Sequence, residues 1–129
     1  MFEPIVFISH FKVKAGKAEE YKKLQHEIAE QLEVDKPRTL AFLSYLTDDL
    51  TQVTVMHVFG DAESMAVHFR GSDERSKAAY AFLQPHGWEI YGRPSEEVVE
   101  SMRGAAAASG AALTLQPDYV AGFLRPTSA

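Results

Sequence analysis

The chain has 129 residues, of which 46% are hydrophobic and 24% are charged, as is ordinary for one globular domain with its own core. Its formal net charge of −5 argues against a nucleic-acid-binding or anionic-membrane surface, because both need a basic field. The absence of cysteine excludes disulfides, thiolate metal ligands and a cysteine nucleophile. Glu3 interrupts the apolar N-terminal stretch and no long apolar run follows, so we expect no signal peptide, no membrane span and a cytoplasmic location.

The pattern of apolar and polar residues predicts four strands and two helices in the order β-α-β-β-α-β. In chain order they occupy Ile5–Val13, Ala18–Leu32, Leu40–Leu46, Val53–Phe59, Ala62–Leu83 and Trp88–Tyr91. This order is typical of the ferredoxin-like α+β fold, in which the strands form one antiparallel sheet and both helices cover the same face. The other face is left bare and apolar, and a second copy of the chain is its simplest cover, so we predict a homodimer.

The second helical segment is predicted to break and restart at Gly71. Asp61 is a good cap for its first turn, and Ser72 is expected to cap the restart. The run Pro85-His86-Gly87 combines a helix breaker with a flexible residue, so we expect it to end the helix and to lead into the last strand.

Residues 1–93 form the predicted core domain, and residues 94–129 form an extension of it. Ser95 is expected to cap a short helix at the start of this extension. Gly104–Ala112 consists almost entirely of Gly, Ala and Ser, which suits either a flexible connector or a continuing Ala-rich helix.

Two further strands are predicted near the C-terminus, on either side of Pro117. They are Ala112–Leu115 and Tyr119–Leu124, and the second is too apolar for a disordered terminus. A strand beyond a complete sheet often pairs with a sheet edge, so we expect the extension to pack on the same domain or on the dimer partner.

The element order and two short motifs resemble the antibiotic biosynthesis monooxygenase (ABM) family. The motifs are Val58-Phe59-Gly60-Asp61, which leads into the second helix, and His68-Phe69-Arg70-Gly71-Ser72 within that helix. The resemblance covers the chain roughly from Ile5 to Tyr91. It implies a dimeric α/β barrel, made when two sheets pack face to face, and cofactor-independent oxygenation of quinols or phenols or, in one branch, haem cleavage.

The haem-cleaving branch of this family carries an Asn on the first strand and a Trp followed by a His on the second helix. Ser9 stands where that Asn is expected, and His68 stands where that Trp is expected. No histidine lies between His68 and His86, so the axial ligand is missing. We therefore expect neither haem nor any other cofactor.

His68 is the leading candidate for a catalytic residue. A histidine titrates near neutrality, accepts a phenolic proton and holds an anion when it is protonated. We expect burial against Met65 and Phe69 to depress the pKa of His68, and activity to vary with pH in the neutral range. The alternative is a structural histidine at the edge of the core, bonded to the backbone.

The predicted substrate-binding residues are aromatic or polar and suit a small aromatic ligand. They are Ser9, Phe11, Tyr45, His57, Phe69, Tyr80, Phe82 and Trp88. His57 also suits a structural role, and packing alone also explains Trp88. His57 and His68 lie eleven residues apart with no third ligand in the pattern, so no metal site is expected.

Two functions remain open at this point. The first is a cofactor-independent monooxygenase of a quinol- or phenol-like substrate, with His68 as the base or the anion anchor. The second is a non-catalytic small-molecule-binding or assembly module with the same fold. Many members of the family carry a second histidine about five residues beyond the first, where this chain reads Ser72-Asp73-Glu74. This lack, and Ser9 in place of an amide, favour the second function.

Overall fold

The computed structural model of the chain describes residues 3–125. Within this range it has five strands and four helices. They are β1 (Ile5–Val13), α1 (Ala18–Asp35), β2 (Thr39–Leu46), β3 (Gln52–Phe59), α2 (Ala62–Phe69), α3 (Ser72–Ala79), β4 (Leu83–Tyr91), α4 (Glu96–Ser109) and β5 (Ala112–Gln116). None of the helices in this part of the chain is long and apolar enough to cross a membrane.

The five strands form one mixed sheet in the order β2-β3-β1-β4-β5. The pairs β2–β3, β3–β1 and β1–β4 are antiparallel, and β5 runs parallel to β4. The predicted α+β, ferredoxin-like arrangement is therefore confirmed, with an extra edge strand from the extension. The sheet of a single chain is open and does not close into a barrel.

All four helices are associated with one face of the sheet, where alternate strand residues are buried. In β1, for example, Ile5, Phe7 and Ser9 are buried and the two residues between them are only half-buried. The larger core cluster joins β1, β3, β4, α2 and α4 through Ile5, Phe7, Phe59, Met65, Trp88, Ile90, Val98 and Met102. A second cluster, Tyr21, Val53, Val55 and Leu83, anchors α1.

The predicted break in the second helical segment is confirmed, with a different cap. Asp61 caps α2 by accepting a hydrogen bond from the Ser64 amide at 2.8 Å. Gly71 has φ of +80° and is itself the N-cap of α3, so Ser72 is the first helical residue and its side chain makes no cap hydrogen bond. The segment was predicted to stay helical to Leu83, but α3 ends at Ala79.

The prediction that Pro85-His86-Gly87 separates a helix from a strand is wrong, because all three residues lie within β4. His10 of β1 pairs with Gly87, and the next residue pairs with Pro85, so His86 is an extra residue in a bulge. Pro85 donates no amide hydrogen bond, and β5 pairs only with residues from Gly87 onward. A bulge beyond the end of a neighbouring strand therefore tolerates the proline.

The extension contains one helix and one strand. The Ala-rich stretch continues as α4, which Ser95 caps through the Val98 amide, and Gly110 ends it in the left-handed conformation with φ of +76°. β5 confirms the first of the two predicted C-terminal strands. The second prediction is wrong for this chain: no strand forms over Tyr119–Leu124, and Val120 is 92% exposed.

The sheet face without helices carries mostly apolar side chains. The pairing registers place Val6, Ile8, Ala41, Leu43, Tyr45, Met56 and Val58 on this outer face. Leu43 is 47% exposed and Tyr45 is 59% exposed. The polar side chains there bond to one another, because Glu89 accepts hydrogen bonds from His10 and from the Tyr91 hydroxyl.

Gly92 sits where β4 passes the first residues of β1, and it offers a test of the packing. Its φ is +109°, and a Cβ atom there would lie 2.9 Å from the carbonyl oxygen of Pro4. Gly92→Ala should lower the free energy of unfolding by on the order of 2–3 kcal/mol in urea titrations, from backbone strain and the clash. Gly104→Ala is the control, because that site on α4 is open and the change should raise stability by up to about 1 kcal/mol. Equal effects of the two variants would contradict this packing.

Candidate functional site

A cavity of about 470 Å³ lies between the sheet and the helices. Strands β1, β3 and β4 provide its floor through side chains such as Ser9, His57 and Trp88. Helices α1, α2, α3 and α4 provide the walls, and the lining is predominantly aromatic and aliphatic. A mostly apolar cleft with a few polar groups is the usual form of a small-molecule site.

The structure brings most of the predicted site residues together in this cavity. Those that line it are Ser9, Phe11, His57, His68, Phe69, Tyr80 and Trp88. Tyr45 does not line it, because the register of the edge strand β2 pairs Phe42 with His57 and places Tyr45 beside Thr54. Tyr45 borders a separate cavity of about 240 Å³ instead. Phe82 lies outside the lining and packs against the second core cluster.

His57 is held in one tautomer by the backbone. Its Nδ1 lies 3.1 Å from the carbonyl oxygen of Phe7, and a carbonyl oxygen only accepts, so Nδ1 carries the hydrogen. The lone pair of the neutral ring is therefore on Nε2. Burial lowers the pKa of His57 to about 4, although the hydrogen bond to Phe7 opposes the shift.

His68 lies in the last turn of α2, with its ring buried at the cavity wall. Its Nδ1 is 2.7 Å from the Thr39 hydroxyl, which can donate or accept and so pairs with either tautomer. Lys36 Nζ donates to the carbonyl oxygens of Val67, at 2.9 Å, and Arg70, at 3.0 Å, and holds this turn in place. A proton can thus be taken up at Nε2 while Nδ1 stays hydrogen-bonded.

The two buried imidazoles face each other edge to face, with ring centroids 5.2 Å apart. Burial lowers the pKa of His68 to about 3, and electrostatic repulsion from Arg75, from Lys36 and from His57 when it is protonated adds to the shift. Both rings are therefore neutral at pH 7. The predicted downward shift of the His68 pKa agrees with this value, and the expected pH dependence of activity stays a prediction.

Sequence reasoning missed several polar residues of the cavity, among them Arg75 and Tyr21. Arg75 lines it from α3, and its Nη2 donates to the His68 carbonyl oxygen at 2.7 Å. Tyr21 lines it from α1, and its buried hydroxyl has no hydrogen-bond partner within the described residues. Only the pattern of α1 hinted at either one, because Tyr21 is the polar-tipped member of its apolar stripe.

The Tyr21 hydroxyl is buried, and neighbouring polar groups replace little of its lost hydrogen bonding to water. Burial raises the pKa of Tyr21 to about 12, and the Ser44 hydroxyl lies near enough to offset part of the rise. Ser44 nonetheless forms no hydrogen bond of normal geometry with Tyr21, and it accepts one from Gln25 Nε2 at 2.7 Å. The Tyr21 hydroxyl is thus enclosed by protein atoms, and the Tyr21 side chain borders both the main cavity and the smaller one beside Ser44. Over residues 3–125, no group of three or more histidine and carboxylate side chains is arranged to hold a metal ion.

The depressed pKa values of His57 and His68 make stability depend on pH. Their folded pKa values, about 4 and about 3, lie below the ordinary 6.5, so the unfolded chain binds more protons between these limits. Their neutral state thus stabilises the fold fully above pH 6.5, and this contribution is lost as the pH falls. The free energy of unfolding in urea should drop by about 2 kcal/mol per buried histidine between pH 6.5 and 5.

Two variants separate this effect from the rest of the acid titration. His68→Gln should make the pH dependence shallower, because it removes one of the two groups. His57→Gln should have a similar effect, because it removes the other group. If the wild-type protein is equally stable at pH 6.5 and pH 5, the two imidazoles are not buried as described.

Comparison with solved structures identifies the fold, while no protein-family model and no curated protein matches the chain. MupZ from Pseudomonas fluorescens is similar over 98% of this chain and 92% of its own, with a TM-score of 0.71 and 18% identity. SnoaB from Streptomyces nogalater, a cofactor-independent oxygenase, is similar over 72% of this chain and 95% of its own, with a TM-score of 0.60 and 14% identity.

A candidate antibiotic biosynthesis monooxygenase from Caulobacter crescentus gives a TM-score of 0.62 at 15% identity, over 73% of this chain and 92% of its own. The parts of this chain that SnoaB and the Caulobacter crescentus protein match, 72% and 73%, are about as long as residues 1–93. The similarity to MupZ covers 98% of the chain and therefore includes the extension. Identities this low establish the architecture alone. This chain has the ferredoxin-like α+β fold of the antibiotic biosynthesis monooxygenases.

Proposed function

We propose that this chain is a cofactor-independent monooxygenase of a small aromatic, quinol- or phenol-like substrate, with His68 as the catalytic base. The observation that carries the proposal is the pair of neutral imidazoles, His57 and His68, at the wall of an aromatic cavity. The named activity of SnoaB, which shares the fold, supports the same reaction class.

The first step is the transfer of the substrate hydroxyl proton to His68. An imidazole with a pKa of about 3 is a weak base when the cavity is empty. The phenolate formed beside it is a counter-ion that the empty cavity lacks, and this charge raises the pKa of the imidazolium. Proton transfer is therefore coupled to the presence of the substrate, and the Thr39 hydroxyl stays paired with Nδ1 throughout.

The following steps use molecular oxygen and electrons from the substrate. The phenolate passes one electron to O₂, and the substrate radical and superoxide combine to form a C–O bond. The resulting peroxide takes the proton back from His68. Loss of water then breaks the O–O bond and the C–H bond at the same carbon, so that a ring C–H carbon ortho or para to the hydroxyl becomes a quinone carbonyl. One oxygen atom enters the product and the other leaves as water.

The lining suits such a substrate in shape and polarity. Phe11 and Tyr80 face each other with ring centroids 6.3 Å apart, and Phe69 and Trp88 extend the aromatic surface. Flat rings pack well against such walls, and exclusion of water strengthens the pairing of phenolate and imidazolium. Ser9 supplies a hydroxyl on the cavity floor.

The alternative is a small-molecule-binding or assembly module without catalysis. The weak basicity of His68 favours it, because a ring that resists protonation also serves as a neutral hydrogen-bonding wall of a binding site. Aromatic binding without oxygen consumption would assign this function.

Oxygen uptake with a panel of quinols and naphthols tests the role of His68. His68→Gln should reduce turnover by about 10²-fold or more, because glutamine keeps a hydrogen bond but takes no proton. His86→Gln should retain full turnover. Circular dichroism and urea unfolding of each variant check that the fold is intact.

Three results bear on the proposal. Full turnover in folded His68→Gln would remove His68 from the mechanism and transfer the role of base to His57. No uptake by the wild-type protein, together with binding of the aromatics, would leave the binding module. Loss in both variants would trace the effect to the assay instead of the residue.

We further propose that two copies of the chain pack through the outer sheet face to form the barrel. Leu43 and Tyr45 are exposed there beside half-buried apolar side chains, and soluble monomers rarely leave such a face open. The hydrogen bonds from His10 and Tyr91 to Glu89 satisfy the polar groups of this face in advance, which lowers the cost of burying them. The exposed apolar residues of Tyr119–Leu124 are a second surface for the partner to cover.

Light scattering coupled to gel filtration should give twice the chain mass of 14.3 kDa at micromolar concentration. Leu43→Lys should shift the particle toward the monomer, because it places an unpaired charge in the interface. Val34→Lys is the control, since that side chain is 79% exposed on α1, away from the sheet. A wild-type monomer, or dimers equally stable in both variants, would contradict the arrangement.

A further inference from the structure

The charged residues that line the cavity all belong to α3. They are Asp73, Arg75 and Lys77. Asp73 and Lys77 are exposed, whereas Arg75 is half-buried. Arg75 is thus the one charged group of the described lining that is withdrawn from solvent.

Arg75 has no acidic partner among the residues that the structure describes. No carboxylate of residues 3–125 lies within 4.0 Å of its guanidinium. Asp73 is two positions away on the same helix, a spacing that places two side chains on different faces. The one bond that the structure gives this guanidinium is from Nη2 to the His68 carbonyl oxygen, which orients the group and leaves donors unused.

An uncompensated guanidinium at a cavity wall favours an anion. Arginine stays cationic in proteins, and its planar fork matches the two oxygens of a carboxylate. His57 and His68 are neutral at pH 7 and supply no charge for this purpose.

We propose that the ligand of this cavity is an aromatic carboxylic acid, whose carboxylate pairs with the Arg75 guanidinium and leaves His57 and His68 for the reacting hydroxyl. The inference rests on the proposed function in that it names the substrate class of the same site. In this arrangement Arg75, and not His68, binds the negative charge of the ligand. The aromatic body then lies against the Phe and Trp side chains of the lining.

Binding of 2-naphthoate and of its neutral analogue 2-naphthamide at pH 7.5 tests the charge requirement without any turnover. Trp88 lines the cavity and is the chain's single tryptophan, so its fluorescence reports occupancy, with calorimetry as a second readout. The wild-type protein should bind the naphthoate at least about tenfold more tightly than the naphthamide. Added salt should weaken the binding of naphthoate and leave the binding of naphthamide unchanged.

Variants of Arg75 show whether it is the source of this preference. Arg75→Gln should abolish the preference while keeping the affinity for naphthamide, which shows that the cavity is intact. Arg75→Lys should keep part of the preference, because it keeps the charge without the planar fork. Arg103→Gln is the control, since Arg103 is exposed on α4 and outside the lining.

Several outcomes would overturn the proposal. These are equal wild-type binding of the two compounds, a preference that persists in Arg75→Gln, and loss of both ligands in that variant, which marks a structural arginine. If neither compound binds, the cavity is not an aromatic site and the proposed function fails too. Selective naphthoate binding without quinol-dependent oxygen uptake rejects the monooxygenase alone. Quinol oxidation without a naphthoate preference rejects this inference alone.

Discussion

The placement of every helix on one face of a single sheet is the constraint on which the other features depend. Buried residues such as Phe59 and Ile90 pack β3 and β4 against the helices. The cavity is the space that this packing leaves between the helices and the strands. The same placement leaves Leu43 and Tyr45 on the outer face without cover. The packing of the helices on one face therefore creates both the cavity and the uncovered outer face.

Inside the cavity, burial separates the roles of the polar groups. It keeps the two imidazoles neutral, because neither has a carboxylate to stabilise its charged form. Arg75 stays charged although burial lowers its pKa, because the ordinary pKa of arginine lies far above 7. The site thus combines a fixed cation with two neutral proton acceptors. Charge recognition and proton transfer can then be carried out by different residues.

Local sequence signals predicted the ends of helices correctly, because these depend on interactions between residues that are close in the chain. Asp61 and Ser95 cap helices, and Gly71 interrupts one, because side-chain oxygens and a missing Cβ act on the adjacent backbone. The same reasoning failed at Pro85 and at Tyr119–Leu124. A bulge opposite β1 and the limited length of β5 keep Pro85 in a strand. Apolar composition does not by itself create strand pairing, and Tyr119–Leu124 forms none on this chain.

The sequence by itself determined the element order, the face on which His57 lies in β3, and the aromatic content of the site, because alternation and capping are local properties. It indicated His68 through its helical spacing from Met65. Only the tertiary structure decided that His57 and His68 meet, that Tyr45 lies outside the cavity, and that Arg75 lines it without a carboxylate partner among the described residues. Those facts depend on strand register and helix docking, which bring together residues far apart in the chain.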